Sequence, residues 1–259
     1  MSRQSIFITG AAAGIGQAVA RLFAREGWFV GLYDVDEAGV QALRRELGEA
    51  KTLAGRLDVT DPAAWEASLN EFVAAAGRLD VLLNNAGILF SGPVESIPLA
   101  QQHKMIDVNL KGVLNGCHTA LRHLRLTPES RVINLCSASA IYGQPSLAVY
   151  SATKFAVRGL TEALDLEWSE YGIRVMDVLP LFVATDMVTN MNANSFRKMG
   201  AKLTAQDVAD TILKAARYDS KIPKVHWTVG FQTRAFYSLS GAAPDLVTRF
   251  INSRITGSH

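Results

Sequence analysis

A tyrosine and a lysine stand four positions apart in the run Tyr150-Ser151-Ala152-Thr153-Lys154, and Ser137 lies thirteen residues upstream of the tyrosine. Positions i and i+4 share a helix face, so this spacing predicts a phenol and an ammonium opening on one pocket. A free phenol has a pKa near ~10 and keeps its proton at neutral pH. A cation about 4 Å away at an effective dielectric of ~20 favours the phenolate by up to ~4 kcal/mol, roughly three pK units at most. A phenol tuned in that direction can take or give a proton. A serine hydroxyl at a neighbouring strand end can hold the same oxygen of an alcohol or carbonyl. Alone, a Tyr-x-x-x-Lys also occurs on any surface helix carrying an aromatic and a lysine.

The elements that must position these groups begin at the N-terminal end. Ser5-Ile6-Phe7-Ile8-Thr9 reads as a short buried strand, followed by Gly10-Ala11-Ala12-Ala13-Gly14-Ile15-Gly16 and an amphipathic run through Val19, Leu22 and Phe23. Strand, glycine-rich turn and helix put backbone N–H groups and a helix N-terminus against a pyrophosphate. Glycines let the backbone bend and approach the phosphates without a Cβ. The spacing is Gly-x-x-x-Gly-x-Gly, not the common Gly-x-Gly-x-x-Gly. The apolar segment Trp28 to Tyr33 ends in Asp34, eighteen residues past Gly16. A carboxylate there accepts from ribose hydroxyls. It also repels a 2′-phosphate, by about 3 kcal/mol per unit-charge pair at ~5 Å and a dielectric of ~20. No Lys or Arg sits in the turn or directly after Asp34 to offset this, so NAD is favoured over NADP.

Together these residues resemble the short-chain dehydrogenase/reductase family, in its compact single-domain branch, over most of the chain. Thr9-Gly10-x-x-x-Gly14-Ile15-Gly16 matches the family's cofactor turn, which includes Ala13, and Asp58-Val59 matches its adenine-side acid. Asn84-Asn85-Ala86-Gly87 matches the motif closing the fourth strand, and Asn109, Ser137, Tyr150 and Lys154 match the catalytic four. The resemblance implies that Tyr150 is the acid/base and that Ser137 orients the substrate oxygen. Lys154 would lower the tyrosine pKa and bind the nicotinamide ribose, and Asn109 would hold a water in a proton relay. It also assigns Asn85, Ala86, Gly87, Pro180, Val183 and Thr185 to the cofactor, Thr185 as the contact to the carboxamide. Two features depart from the pattern. Pro180 is followed by Leu181 where the family usually has glycine, which puts the geometry leading to Thr185 in question. The Asp-Gly-Gly ending of many tetrameric members is missing; Lys224 to Val229 instead precedes a helical-looking tail from about Thr233 to Ile255.

Strand-like runs at 5–9, 28–33, 53–57, 79–84, 131–136, 173–179 and 224–229 alternate with helical stretches. That order predicts one α/β domain over 1–259, a Rossmann-type doubly wound, mainly parallel seven-stranded sheet, with a substrate lid at about 181–203 and a C-terminal extension at about 230–259. Asp61 caps and Pro62 begins a helix after the third strand. With 26 basic and 24 acidic residues the net charge of +2 gives no argument for nucleic acid or an anionic membrane. No apolar run reaches spanning length. Two cysteines and five histidines show no metal-ligand spacing, and Cys136 reads as a small core residue. The expectation is a metal-independent cytoplasmic enzyme, a homo-oligomer (dimer or tetramer), acting on a small-molecule alcohol or ketone.

The lid carries Phe182, Met187, Met191, Phe196 and Met199, an adaptable apolar surface, with Ile88, Leu89, Tyr142 and Leu147 as further candidates nearby. An apolar substrate is therefore expected rather than a sugar, although the same side chains could pack a lid or subunit interface. Arg197 and Lys198 could meet an anionic group or be solvated. Alternatives to the NAD(H) dehydrogenase are an NADP-dependent carbonyl or 3-oxoacyl reductase and a non-catalytic dinucleotide-binding regulator. A lipid-processing enzyme using residues 233–255 at a membrane surface is a further one, which Pro244 and Asp245 disfavour.

Overall fold

The computed structural model describes residues 3–185, 203–220 and 222–240. Seven strands carry the sheet: β1 (Ser5–Thr9), β2 (Phe29–Asp34), β3 (Thr52–Arg56), β4 (Val81–Asn84), β5 (Arg131–Leu135), β6 (Arg174–Leu179) and β7 (His226–Thr228). All pairs are parallel and the order is β3-β2-β1-β4-β5-β6-β7. The helices are α1 (Gly14–Arg25), α2 (Glu37–Leu47), α3 (Pro62–Ala76), α4 (Leu99–Ile106), α5 (Gly112–Leu124), α6 (Ala148–Glu167), α7 (Ala205–Ala216) and α8 (Gly230–Ser240). This is the Rossmann-like, doubly wound architecture the alternation predicts. Strand ends differ from the sequence reading by up to two residues, and α8 starts three residues before the expected helix. The rest of that tail, with Pro244 and Asp245, lies outside the described residues.

The two-residue period of the strands explains the layering. Ile6, Ile8, Val30, Leu32, Val81, Leu83, Ile133, Met176 and Val178 face the layer of α1, α2 and α7. Phe7, Tyr33, Leu82, Val132 and Val175 face α3, α5 and α6. Helix starts follow local chemistry. Asp61 Oδ1 accepts from Ala63 N (2.9 Å) and Ala64 N (3.3 Å), with Pro62 at the first helical position. Chain order reverses between β1 and β4, and a parallel sheet opens a crevice beyond the C-terminal ends of such neighbours. Among the described residues no helix is long and apolar enough to cross a membrane.

The α3/α5 layer is centred on aromatics. Phe7 stacks on Tyr33 (ring centroids 4.1 Å apart) and meets Phe72 edge-on at 5.4 Å. Gly31 leaves the room for that ring, since a Cβ there would lie 2.7 Å from Phe72. Phe72→Ala empties the centre of this packing and should lower unfolding free energy by about 3–5 kcal/mol. Urea denaturation checks this, and a loss under about 1 kcal/mol would mean that the aromatic layer repacks freely.

Candidate active site

The crevice holds a cavity of about 690 Å³. Its wall includes Gly10, Ala13, Gly14, Ile15, Asp34, Asp58, Val59, Asn85, Ala86, Gly87, Ser137, Tyr150, Lys154, Pro180, Val183 and Thr185. The sequence-derived candidates thus converge on one space, apart from Gly16 and Asn109, which act from behind it.

The glycine turn is held by the end of β4. Thr9 Oγ1 accepts from Asn85 N (3.0 Å) and Ala86 N (3.1 Å), while Asn85 Nδ2 donates to Thr9 O (2.8 Å) and Gly10 O (3.0 Å). Gly10 (φ +67°) takes the left-handed conformation, and a Cβ there would lie 2.8 Å from Asn85 Nδ2. At Gly16 a Cβ would run into the Gly10 carbonyl oxygen, so this glycine serves packing between turn and helix. Gly14 (φ +54°) opens α1 on the cavity wall, and Ala13 supplies no side-chain cap for the first N–H groups. A turn of small residues, a bare helix N-terminus and a cavity of this size fit a dinucleotide pyrophosphate.

The acids on the same side are oriented by backbone. Asp34 Oδ2 accepts from Ala12 N (3.0 Å) and Oδ1 from Asp36 N (3.1 Å). Asp58 Oδ1 accepts from Thr60 N (2.9 Å) and Thr60 Oγ1 (2.7 Å), bonds that hold its carboxyl below the usual carboxylate range. One cation escaped the reading along the chain: Arg56, exposed on β3, is the register partner of Asp34.

Asn109 is fully buried within a π-helical turn, Asp107–Lys111, that joins α4 to α5. Its amide clasps Ile88, with Oδ1 accepting from Ile88 N and Nδ2 donating to Ile88 O, both at 2.8 Å, and Nδ2 also reaches Thr153 Oγ1 at 3.5 Å. The side chain is therefore committed to the loop after β4. A water relay through Asn109, as the resemblance implies, would have to use its backbone.

Tyr150 and Ser137 are hydrogen-bonded through their side chains, and Ser137 Oγ also accepts from Ser139 N (3.1 Å). Lys154 Nζ donates to Leu135 O (2.8 Å) and lies 5.7 Å from the Tyr150 ring centroid. Burial dominates both groups. It pushes the Tyr150 phenol up to about 12, against the lowering effect of the Ser137 bond, and draws the Lys154 ammonium down. The sequence reading expected the lysine to bring the phenol towards neutral pH; in the protein alone, loss of water around the phenolate outweighs that attraction.

The cavity also takes in Thr60, Lys104, Asp107, Leu135, Cys136 and Leu181, which the sequence reading did not assign to the cofactor. Lys104, Asp107 and Val108 follow helical spacing just before Asn109, a signal that would have found them. Ile88 lines the cavity; Leu89, Tyr142, Leu147 and Phe182 do not. Met187, Met191, Phe196, Arg197, Lys198 and Met199 lie outside the described residues. The expected difficulty at Leu181 is not seen, because its φ is not positive, and Thr185 reaches to 3.4 Å of the Cβ position at Gly14. Among the described residues no group of three or more His, Cys, Asp or Glu could hold a metal ion.

Residues 4–195 match the family model described as short chain dehydrogenase. The chain is 35% identical over 215 residues to a 3-alpha-(or 20-beta)-hydroxysteroid dehydrogenase of Mycobacterium bovis, with 82% of each chain covered. It is 36% identical over 182 residues to a meso-2,3-butanediol dehydrogenase of Serratia marcescens, covering 70% of this chain and 72% of that one. A 3-ketoacyl-(acyl-carrier-protein) reductase from Brucella melitensis, crystallised with NADH, superposes with a TM-score of 0.81 at 29% identity, covering 87% of this chain and 96% of that one.

The burial of Tyr150 is open to direct measurement. An ultraviolet difference titration of the cofactor-free protein against Tyr150→Phe should show no Tyr150 phenolate up to pH ~10, the value of a free phenol. A transition at or below that pH would contradict the dominance of burial.

Proposed function

The chain belongs to the short-chain dehydrogenase family, and from that premise we propose that it is an NAD(H)-dependent dehydrogenase interconverting an apolar secondary alcohol and its ketone. One observation carries the reading: Ser137, Tyr150 and Lys154 line the same cavity as the glycine turn and Asp34. Gly10, Ala13, Gly14 and Ile15 would hold the pyrophosphate, Asp34 the adenosine ribose, and Asp58 and Val59 the adenine. Asn85, Ala86 and Gly87 would line the middle of the cofactor, Lys154 would hold the nicotinamide ribose, and Pro180, Val183 and Thr185 the nicotinamide side. When bound, the oxidised dinucleotide supplies the hydride acceptor and a positive ring charge that favours the phenolate.

Ser137 Oγ holds the substrate oxygen beside Tyr150 Oη. In oxidation the proton of the alcohol O–H passes to the phenolate; in reduction Tyr150 returns a proton to the oxygen that was the carbonyl. Lys154 has three donors and gives one to Leu135 O, so the others can serve the ribose and the tyrosine side. Ile88 and Leu181 on the cavity wall support an apolar substrate. The same reading takes exposed Leu114 on α5 (48%) and Phe155 on α6 (42%) as area that a second subunit covers, and treats the chain as one cytoplasmic, metal-independent domain.

Tyr150→Phe keeps the ring and removes the proton carrier. Turnover should fall at least ~10²-fold while NADH affinity, read by nicotinamide fluorescence, stays nearly constant. Turnover surviving within a few-fold would remove Tyr150 from the acid/base role.

Asp34 supports NAD over NADP by accepting from the ribose and repelling a 2′-phosphate. Arg56 opposes that repulsion only from an exposed position, where a charge is screened. Asp34→Ala should weaken NAD and narrow the preference. Equal kcat/KM for NAD and NADP in the unmodified enzyme would sink the assignment.

A further inference from the structure

Where the family pattern leaves a glycine after Pro180, this chain carries a leucine. The side chain of Leu181 lines the cavity beside Ser137 and Tyr150. Its other contacts belong to an apolar cluster built on Ile141 and Leu179, to which Phe236 and Tyr237 of α8 also belong. The segment is anchored next to the reacting groups, since Pro180 O accepts from Ala138 N at 2.8 Å.

The helix behind Leu181 is itself tied down. The Tyr237 ring centroid lies 5.2 Å from the Arg158 guanidinium carbon and 5.7 Å from the His226 ring. Arg158 binds Glu162 at 3.0 Å, and His226 reaches Asp177 at 2.9 Å and Glu162 at 3.1 Å. A leucine seated on a buried cluster that an anchored helix also packs against cannot leave the cavity without disturbing that packing.

We infer that Leu181, seated on a cluster it shares with α8, is the wall that sets how bulky an alcohol or ketone can be at Ser137 and Tyr150. The inference rests on the dehydrogenase reading and adds a specificity-determining residue to it. In apolar pockets one methylene more or less changes selectivity by roughly 10–200-fold, so replacing a leucine side chain by hydrogen or by an indole should be plainly visible.

The test compares Leu181→Gly, Leu181→Trp and Phe236→Ala with the unmodified enzyme on two probes, cyclopentanol and a hydroxysteroid. For each, kcat/KM is measured with NAD, dissociation constants of the matching ketones are measured by calorimetry in the presence of NAD, and NADH affinity is read by fluorescence. Leu181→Gly should raise the steroid-to-cyclopentanol ratio about tenfold or more, and Leu181→Trp should lower it. Phe236→Ala should move the ratio the same way as Leu181→Gly by a smaller factor, with NADH affinity within about twofold throughout. If Leu181→Gly does not fold, Leu181→Ala takes its place. Opposite signs for the two Leu181 variants are a signature that general destabilisation does not produce. An unchanged ratio in both, or an equal loss for both probes in step with lost NADH affinity, would overturn the inference, as would failure of either ketone to bind. If the ketones bind with the expected ratio shifts but no variant, nor the unmodified protein, turns over, the dehydrogenase reading fails while the wall stands.

Discussion

Everything in the cavity depends on how the ends of β1 and β4 are locked to each other. One threonine hydroxyl takes two backbone N–H groups from Asn85 and Ala86, and the Asn85 amide returns two bonds to the carbonyls of Thr9 and Gly10. Four bonds across the switch point fix the glycine turn, and with it the start of α1. The next clamp begins two residues further on, where Asn109 holds both backbone groups of Ile88. Its amide also lies 3.5 Å from Thr153 Oγ1, which donates to Tyr150 O (2.7 Å). The phosphate end and the proton-transfer end are thus joined by a run of buried polar contacts in which each group satisfies its neighbour, the condition under which such a network rigidifies rather than destabilises.

Burial that makes this network firm also works against the chemistry. Lys154 is 4% exposed and sits among few compensating charges, so burial disfavours its ammonium, as it disfavours the neighbouring phenolate. The protein alone favours the phenol of Tyr150, the form that gives a proton, over the phenolate that takes one. Charge arriving with an oxidised cofactor would offset that cost where it is needed. A site built this way gains stronger electrostatics from exclusion of water.

Legibility in the sequence followed the range of the interactions. The strands and the turn were readable because period-two burial and glycine spacing are local, and the Tyr150–Lys154 pair because four residues is one helical turn. Asn85 and Asn109 were found by matching a pattern, but their physical work was not readable: both amides are spent on backbone far away in sequence. Arg56 escaped because it is the register partner of Asp34 across the sheet, whereas Lys104 and Asp107 carry a local mark in their helical spacing ahead of Asn109. Burial around the phenol was not readable, since pairwise attraction can be counted from spacing whereas desolvation depends on the assembled surroundings.

The two ends of the cavity are therefore built on different principles. At the adenosine end, acids are pinned by backbone N–H groups within two residues of themselves or, for Asp34, at Ala12 across the turn, so their positions follow from local geometry. At the other end, Leu181 and α8 pack against one apolar cluster, and Tyr237 of α8 lies against a charge cluster in which both ring nitrogens of His226 face carboxylate oxygens. Asp177 is fully buried, and burial raises its carboxyl above the usual range. Arg158 pairs with Glu162 at 3.0 Å and so joins the same cluster. The acids at the adenosine end are placed by backbone close to them, whereas the cluster that carries Leu181 also takes in a helix that arrives only after the seventh strand.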